Sequence, residues 1–509
     1  MQPGRKPRVL IINAYFDPWR SSCPTRLFVP RAMAPYYLAG YIDRECTEVR
    51  VWDEVYHGSL MSRSLFEWPD MVVLTGLTAA FDRARQLAAY CRHFNPAVVC
   101  VIGGPIARAM PSICSEVFDY TCQGDVEEVG LVIEAEFGSG HRAEATAPRF
   151  DLTKPTMGVG YLETTKNCNF ACSFCSLSGE GRAYSSYSDA AINAQLDALG
   201  DSFVVMVLDN NFFGNNRRSF KRRVELIGDR WRKGQFKGWG ALVTGDFFKR
   251  PENLALMADN GCKGLFSGVE NLDAEFLRSF NKKHSLDSDL HRITNACADH
   301  GISFDYGMIL DFSSQTVGEI DDQISGILSD ARVPLPSLLS MTIPIVGTPY
   351  FQEASRSGRL MPNLLLSDMD GQKLVEWPKE PLETVVRFLR DLLKFKGRKS
   401  ALGRHAVRHA WHWRKHYDWE QTIVSVIRPL LRFGGTLQIG TPRQMLQNLK
   451  EPALTYCAMS DSLRSAYKPV FRLESHLEKE FEPLQITDQS GALTESFLQA
   501  QAKPTPLAG

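Results

Sequence analysis

Twice along its length the chain alternates short apolar, β-branched runs with amphipathic segments, and this rhythm limits what it can fold into. Between residues 8 and 150, Val9–Asn13, Glu48–Trp52, Asp70–Thr75 and Ala97–Ile102 read as strands. Arg31–Glu45 and Arg83–Phe94 carry the helical repeat. Strands separated by helices imply a parallel sheet covered on both faces. Such sheets bind ligands beyond the carboxyl ends of their strands, where Thr75, Gly76, Leu77 and Thr78 fall, as do Gly103, Gly104 and Pro105. From Gly158 the alternation resumes, with strands expected at Gly158–Thr164, Phe203–Leu208, Gly238–Thr244, Gly264–Gly268, Ser303–Leu310 and Leu338–Pro344. Six such β/α units make most of a parallel barrel, whose chemistry sits in the loops after the strands.

These boundaries divide the 509 residues into an α/β unit over 1–140, a polar linker over 141–157, a partial barrel over 158–360 and a mainly helical region over 361–509. In the last region Glu383–Lys396 and Ala401–Trp419 are the clearest helices, and Ala500–Gly509 reads as a disordered tail. Lys and Arg total 58, as do Asp and Glu, so the zero net charge gives no basic footprint for a nucleic-acid partner. The apolar run after the basic N-terminus is too short for a signal peptide. No stretch approaches the roughly 20 apolar residues that span a bilayer, so a cytoplasmic location is expected. Twelve cysteines in such a chain are not a disulfide framework.

Three of those cysteines are clustered. Cys168, Cys172 and Cys175 follow the first barrel strand with Cys-x3-Cys-x2-Cys spacing. One short turn can direct three thiolates at a single iron–sulfur cube and leave one iron open. The alternative is a structural zinc site, which normally wants four ligands in a closed shell, and no fourth cysteine is near.

A cysteine loop of this spacing after the first strand of a β/α barrel resembles the radical S-adenosylmethionine (SAM) superfamily over about 158–360. The resemblance implies a [4Fe–4S] cluster on Cys168, Cys172 and Cys175, with SAM chelated at the open iron. Phe174 matches the aromatic position near the adenine. Val207–Asn215, containing Asp209, Asn210 and Asn211, resembles the second-strand motif that meets the SAM amino group. Ser267–Glu270 is similar to the fourth-strand end beside the ribose, with Glu270 as its contact, and Tyr306–Phe312 looks like the fifth-strand motif.

Residues 1–140 resemble the Rossmann-like cobalamin-binding domain that precedes the barrel in one large class of these enzymes. The matching features are Thr75–Thr78, Gly103–Pro105 and Cys122–Asp125, whose Gly124 would let backbone approach the corrin or its tail. The Asp-x-His-x-x-Gly motif for a lower axial histidine is absent, and neither His57 nor His93 has that context. The resemblance therefore implies cobalamin without a histidine on its lower face, or else a module that has lost the cofactor. Thr342–Tyr350 and Ser357–Leu360 look like elements of a subgroup that includes hopanoid methylases and natural-product C-methyltransferases.

The activity thus implied is methylation of a carbon centre in a lipid or natural product, through a 5′-deoxyadenosyl radical and methylcobalamin. A cobalamin-assisted cyclisation or rearrangement without methyl transfer, and nonradical transfer through cobalamin, remain as alternatives. A small-molecule substrate and a flavodoxin or ferredoxin reductant are the expected partners, and no catalytic acid or base is identifiable. His405, His409, His412 and His416 share one helical face amid Arg404, Arg408, Arg414 and Lys415. That face reads either as a basic solvated helix packed by its tryptophans, or as a metal site, an anion site or a peripheral membrane contact.

Overall fold

A computed structural model describes residues 5–15, 32–143, 147–153, 158–286, 289–371, 373–393, 398–423 and 482–501. The chain divides into two compact units. The first is drawn from the described parts of 1–154, 345–370 and 446–509, and the second from those of 155–344 and 371–445.

In the first unit β1 (Arg8–Asn13), β2 (Glu48–Asp53), β3 (Met71–Thr75), β4 (Val99–Gly103) and β5 (Tyr120–Cys122) form one parallel sheet in the order β2-β1-β3-β4-β5. All five residues of β3 are buried, because helices cover both faces of a sheet of this order. Val9, Ile11, Val73 and Val101 share a core with Val129 and Ile133 of helix Glu128–Phe137. The helix expected over Arg31–Glu45 is shorter, spanning Ala34–Ala39 with Pro35 in its first turn. A Cβ on Gly40 would come 2.3 Å from the Ala147 carbonyl, so the chain turns there against a neighbouring segment. Arg31 lies outside the described residues.

The second unit is a curled sheet of β6 (Val159–Leu162), β9 (Val204–Val207), β10 (Gly238–Val243), β11 (Cys262–Glu270), β12 (Ser303–Leu310) and β13 (Leu338–Met341). The two-residue strands β7 (Thr165–Lys166) and β8 (Ser185–Ser186) pair antiparallel beside it. The six strands are parallel and adjacent in chain order, as in an open (β/α)6 half-barrel. Each connection carries at least one helix, from Asp189–Ala198 after β6 to Val317–Ser329 after β12.

The described C-terminal segments do not stay together. Helices Leu382–Leu393 and Lys399–Trp413 belong to the second unit, where the Trp413 indole donates to the Arg332 carbonyl at 3.2 Å. The expected helix Ala401–Trp419 stops at Trp413, and a new turn, Trp419–Thr422, begins from an Asp418 cap. Residues 345–370 and 482–501 group with the first unit; Leu364 and Ile486 bond through backbone, and Phe351 packs on Phe497. Ala500 and Gln501 end the helix Glu495–Gln501, while the rest of the expected tail lies outside the described residues. No helix among the described residues is long and apolar enough to cross a membrane.

Candidate cluster and cofactor site

The cysteine loop leaves β7 through Asn167, whose φ of +61° is a left-handed conformation that asparagine tolerates better than most residues. Its side chain is fixed on both sides, donating to the Ala183 carbonyl at 3.0 Å and accepting from Arg182 at 2.8 Å. The chain then folds back on itself. Cys175 N–H donates to the Cys172 carbonyl at 3.1 Å, and the Ser178 hydroxyl donates to the same oxygen at 2.7 Å. Cys172 is buried, Cys168 and Cys175 are half-buried, and all three are free thiols. Burial raises all three thiols, Cys172 to about 11, against the pull of the Lys282 ammonium. Among the described residues no three His, Cys, Asp or Glu side chains close on a single metal ion. Three thiols on one short loop, with no fourth cysteine close in sequence, suit a cube with an open corner rather than closed zinc.

A segment distant in sequence clamps the loop. Ser173 N–H donates to the Phe280 carbonyl at 3.1 Å, and the Asn281 amide donates to the Ala171 carbonyl at 3.0 Å. Phe174 meets Phe280 edge-on at 5.4 Å, while Phe170 stacks on buried His284 at 3.9 Å. Burial, reinforced by Lys282, lowers His284 to about 3, so this imidazole is neutral at ordinary pH. Lys282 is 6% exposed, and its ammonium donates to Glu270 Oε1 at 2.8 Å. Burial opposes that charge, but Glu270 and Cys172 outweigh it and the lysine's pKa is raised.

Glu270 ends β11 with φ of +67°, a conformation rare for glutamate and therefore held by its surroundings. A Cβ at Gly268 would sit 2.3 Å from Glu270 Oε1 and 3.3 Å from Lys282 Nζ, so glycine is what leaves room for this pair. Removing the ammonium in Lys282→Met leaves a half-buried carboxylate beside the cysteines. Where the cysteines hold the SAM-binding cluster that the sequence implies, cleavage of SAM should slow about 10–100-fold with iron content retained, and Lys282→Arg should recover part of the rate. Unchanged turnover in Lys282→Met would show that the pair only supports the fold.

The three polar residues after β9 occupy different environments. Asp209 is fully buried and spent on the backbone: it accepts from Thr164 N–H at 2.6 Å, Thr165 N–H at 3.1 Å and the Thr164 hydroxyl. Asn210 is exposed. Asn211 is buried, donates to Asn169 Oδ1 in the cysteine loop at 2.7 Å, and leaves its own Oδ1 unpaired. An unpaired acceptor held against that loop suits an ammonium group. Gly214 is required in this motif, since a Cβ there would overlap the Tyr184 hydroxyl at 1.9 Å.

Sequence reasoning did not find Glu163, at the carboxyl end of β6. Its carboxylate accepts from the Tyr187 hydroxyl at 3.0 Å, and burial together with Asp209 raises it to about 7. A carboxyl raised in the fold binds its proton more tightly than in the unfolded chain. Its contribution is therefore complete below the unfolded value of 4.5 and is lost as pH rises to about 7. Glu163→Gln should remove that loss and stabilise the protein by about 1–2 kcal/mol at pH 8. Melting curves at pH 5 and pH 8 measure it, and a variant with an undiminished pH dependence would be the contrary result.

In the first unit a cavity of about 200 Å³ opens at the carboxyl ends of β3, β4 and β5, lined by Thr75, Gly103, Gly104, Pro105, Arg108 and Gly124 among others. Thr75 is buried in its wall, whereas Gly76, Leu77 and Thr78 lie outside the lining, Thr78 buried and Leu77 69% exposed. The glycines differ in their reasons. Gly76 must be small because a Cβ would lie 2.7 Å from the Ala14 carbonyl, and Gly104 has φ of +93° where helix Pro105–Ala109 begins. Gly103 meets only ordinary contacts, and Gly124 faces the movable end of Glu128.

The four histidines do not share a site. His405 and His409 are buried, whereas His412 and His416 are exposed, and His416 lies beyond the helix end. Trp413 packs on Ala298 and Tyr417, but Trp411 and Trp419 are 66% and 69% exposed.

A half-barrel with a three-cysteine loop after its first strand, joined in one chain to a doubly wound sheet, defines the class, and residues 162–322 match the radical SAM superfamily. The match runs from the end of β6 to helix Val317–Ser329 and includes the cysteine loop. The chain is similar to the hopanoid C-2 methylase of Rhodopseudomonas palustris (strain TIE-1), at 23% identity over 318 residues, 58% of this chain and 59% of that one. It is also similar to the bacteriochlorophyllide d C-12(1)-methyltransferase of Chlorobaculum tepidum, at 25% identity over 47% of this chain and 55% of that one. The chain thus covers less than two thirds of either relative. The fold matches radical SAM methyltransferase TsrM from Kitasatospora setae, solved with cobalamin and a [4Fe–4S] cluster (TM-score 0.53, 16% identity, 70% of this chain and 75% of that one). It also matches the cobalamin-dependent radical enzyme OxsB, solved with aqua-cobalamin and SAM (TM-score 0.53, 15% identity, 87% and 78%).

Proposed function

We propose that this protein is a cobalamin-dependent radical SAM enzyme that methylates a carbon centre of a lipid or natural-product small molecule. The observation that carries the reading is the clamped cysteine loop, with the unpaired Asn211 oxygen held against it. Cys168, Cys172 and Cys175 would hold the [4Fe–4S] cluster. Bound together, the cluster, SAM and cobalamin supply an electron, a source of 5′-deoxyadenosyl radical and a methyl carrier.

The chain's own residues position and exclude. Asn211 would accept from the SAM amino group, with Asp209 holding the adjoining turn rather than touching the ligand. Phe174 would present an aromatic surface for adenine, Glu270 at the end of β11 would meet the ribose, and Asn210 stands exposed after β9. In 1–140, the cavity under Thr75, Gly103, Gly104, Pro105 and Gly124 would take cobalamin's tail. Gly76, Leu77 and Thr78 would form its rim, with Leu77 offering an apolar surface to the corrin. No histidine among residues 1–140 stands in a cobalt-ligand motif, which favours a lower face without imidazole. Free thiols and an oxygen-sensitive cluster suit a reducing cytoplasm, with flavodoxin or ferredoxin as electron donor.

The test is anaerobic reconstitution followed by turnover with methyl-labelled SAM. Label transferred to substrate, together with one cobalamin per chain, supports methylation. Turnover of substrate with 5′-deoxyadenosine formed and no label transferred would instead establish cyclisation or rearrangement.

A further inference from the structure

We propose that a groove of the second unit, between helices Val317–Ser329 and Lys399–Trp413, binds a phosphate-class anion through Arg398, Arg404, Arg408 and His405. The groove has a volume of about 330 Å³ and contains these four residues, two serines (Ser325 and Ser329), and no carboxylate in its lining. Two acids of the flanking helix are already paired, one of them with the groove's own Arg398. Asp321 pairs with Arg398, and Asp330 pairs with Arg332 at 2.7 Å and with His291 at 3.0 Å. Arg404 and Arg408, one helical turn apart and both exposed, pair with no carboxylate among the described residues.

The second observation lies at the buried side of the groove. His405 is 2% exposed, and neither ring nitrogen makes a hydrogen bond of normal geometry, although the Leu328 and Val333 carbonyls approach the ring. Arg398 Nη1 is likewise buried without a partner. A buried polar group normally finds a partner in protein, water or ion. Here Arg398 Nη1 and the His405 imidazole line the same groove as two further guanidinium groups, and a partner that satisfies them together carries negative charge on several oxygens. Guanidinium forks match the geometry of phosphate oxygens.

Two sources present that chemistry: a soluble phosphate ester or diphosphate, and the headgroup of an anionic phospholipid. On the outward face of the same helix Val407 and Trp411 are 71% and 66% exposed, which is the side chain pattern a headgroup source would use.

The test uses the full chain, titrated calorimetrically with inorganic pyrophosphate. It is then floated with phosphatidylcholine vesicles made with and without phosphatidic acid. Wild type should bind at least one probe, and Arg404→Glu/Arg408→Glu should bind it at least roughly tenfold more weakly with an unchanged melting curve. Saturable pyrophosphate binding without vesicle association identifies a soluble ligand. Association only with phosphatidic acid vesicles, weakened by Trp411→Ala, identifies a headgroup. Absence of binding to both probes, or equal binding by the charge-reversed variant, would overturn the proposal.

Discussion

Alanine at Cys168, Cys172 or Cys175, singly or together, is expected to reduce reconstituted iron from roughly four per chain to near zero. SAM cleavage should disappear with it. The reason lies in the loop: three thiols enter through one turn, and no fourth cysteine is close enough in sequence to substitute. Losing one leaves a cube with two protein ligands. The clamp holds the loop by its backbone at Ser173 and Ala171 and uses no cysteine side chain, so the single variants should still fold. Cys114→Ala is the control, because that thiol is buried in the first unit and should leave iron unchanged. Iron and sulfide assay decides it, and a Cys172→Ala protein with a full complement of iron would remove these residues as ligands.

Asp209→Ala should carry the largest stability cost, about 3 kcal/mol or more, because it strands two buried backbone N–H groups and a hydroxyl. The lost bonds are those to Thr164 and Thr165, which begin the approach to the cysteine loop. Iron incorporation should therefore fall together with the melting temperature. Asp209→Asn separates shape from charge. Its amide oxygen can accept both N–H groups and its nitrogen can face the threonine hydroxyl. Burial raises the Asp209 carboxyl above its usual value, so the ionised form is the costlier one in the fold. The asparagine variant is accordingly expected to melt close to wild type at pH 8. If Asp209→Ala melts normally yet loses affinity for SAM, Asp209 contacts the ligand rather than bracing the turn.

Much of this protein is legible locally. A strand buried on both faces is an unbroken apolar run, so β3, β4 and β10 could be read within a few residues, and β9, β11 and β12, which largely alternate buried with partly buried positions, from their spacing between helical segments. The cysteine spacing likewise constrains a loop by itself, since its geometry depends on a handful of consecutive residues. Short or polar elements were less legible: β5 is three half-buried residues, and the first helix stops at Gly40 because a segment 107 positions later presses on it.

What only tertiary structure decided is which distant side chains meet. Lys282 stands 12 positions from Glu270 and over 100 from the cysteines, and nothing in its neighbours marks it as their companion. Asp209 reads as a ligand contact in its motif, yet the adjacent strand end places three hydrogen bonds on it. The histidines at helical spacing read as one face, but packing buries His405 and His409 and leaves His412 and His416 in water. Periodicity and spacing are properties of neighbouring residues, and the sequence alone determined them. Burial, ion pairing and unpaired donors depend on what lies across a packed surface, and that only the folded chain decides.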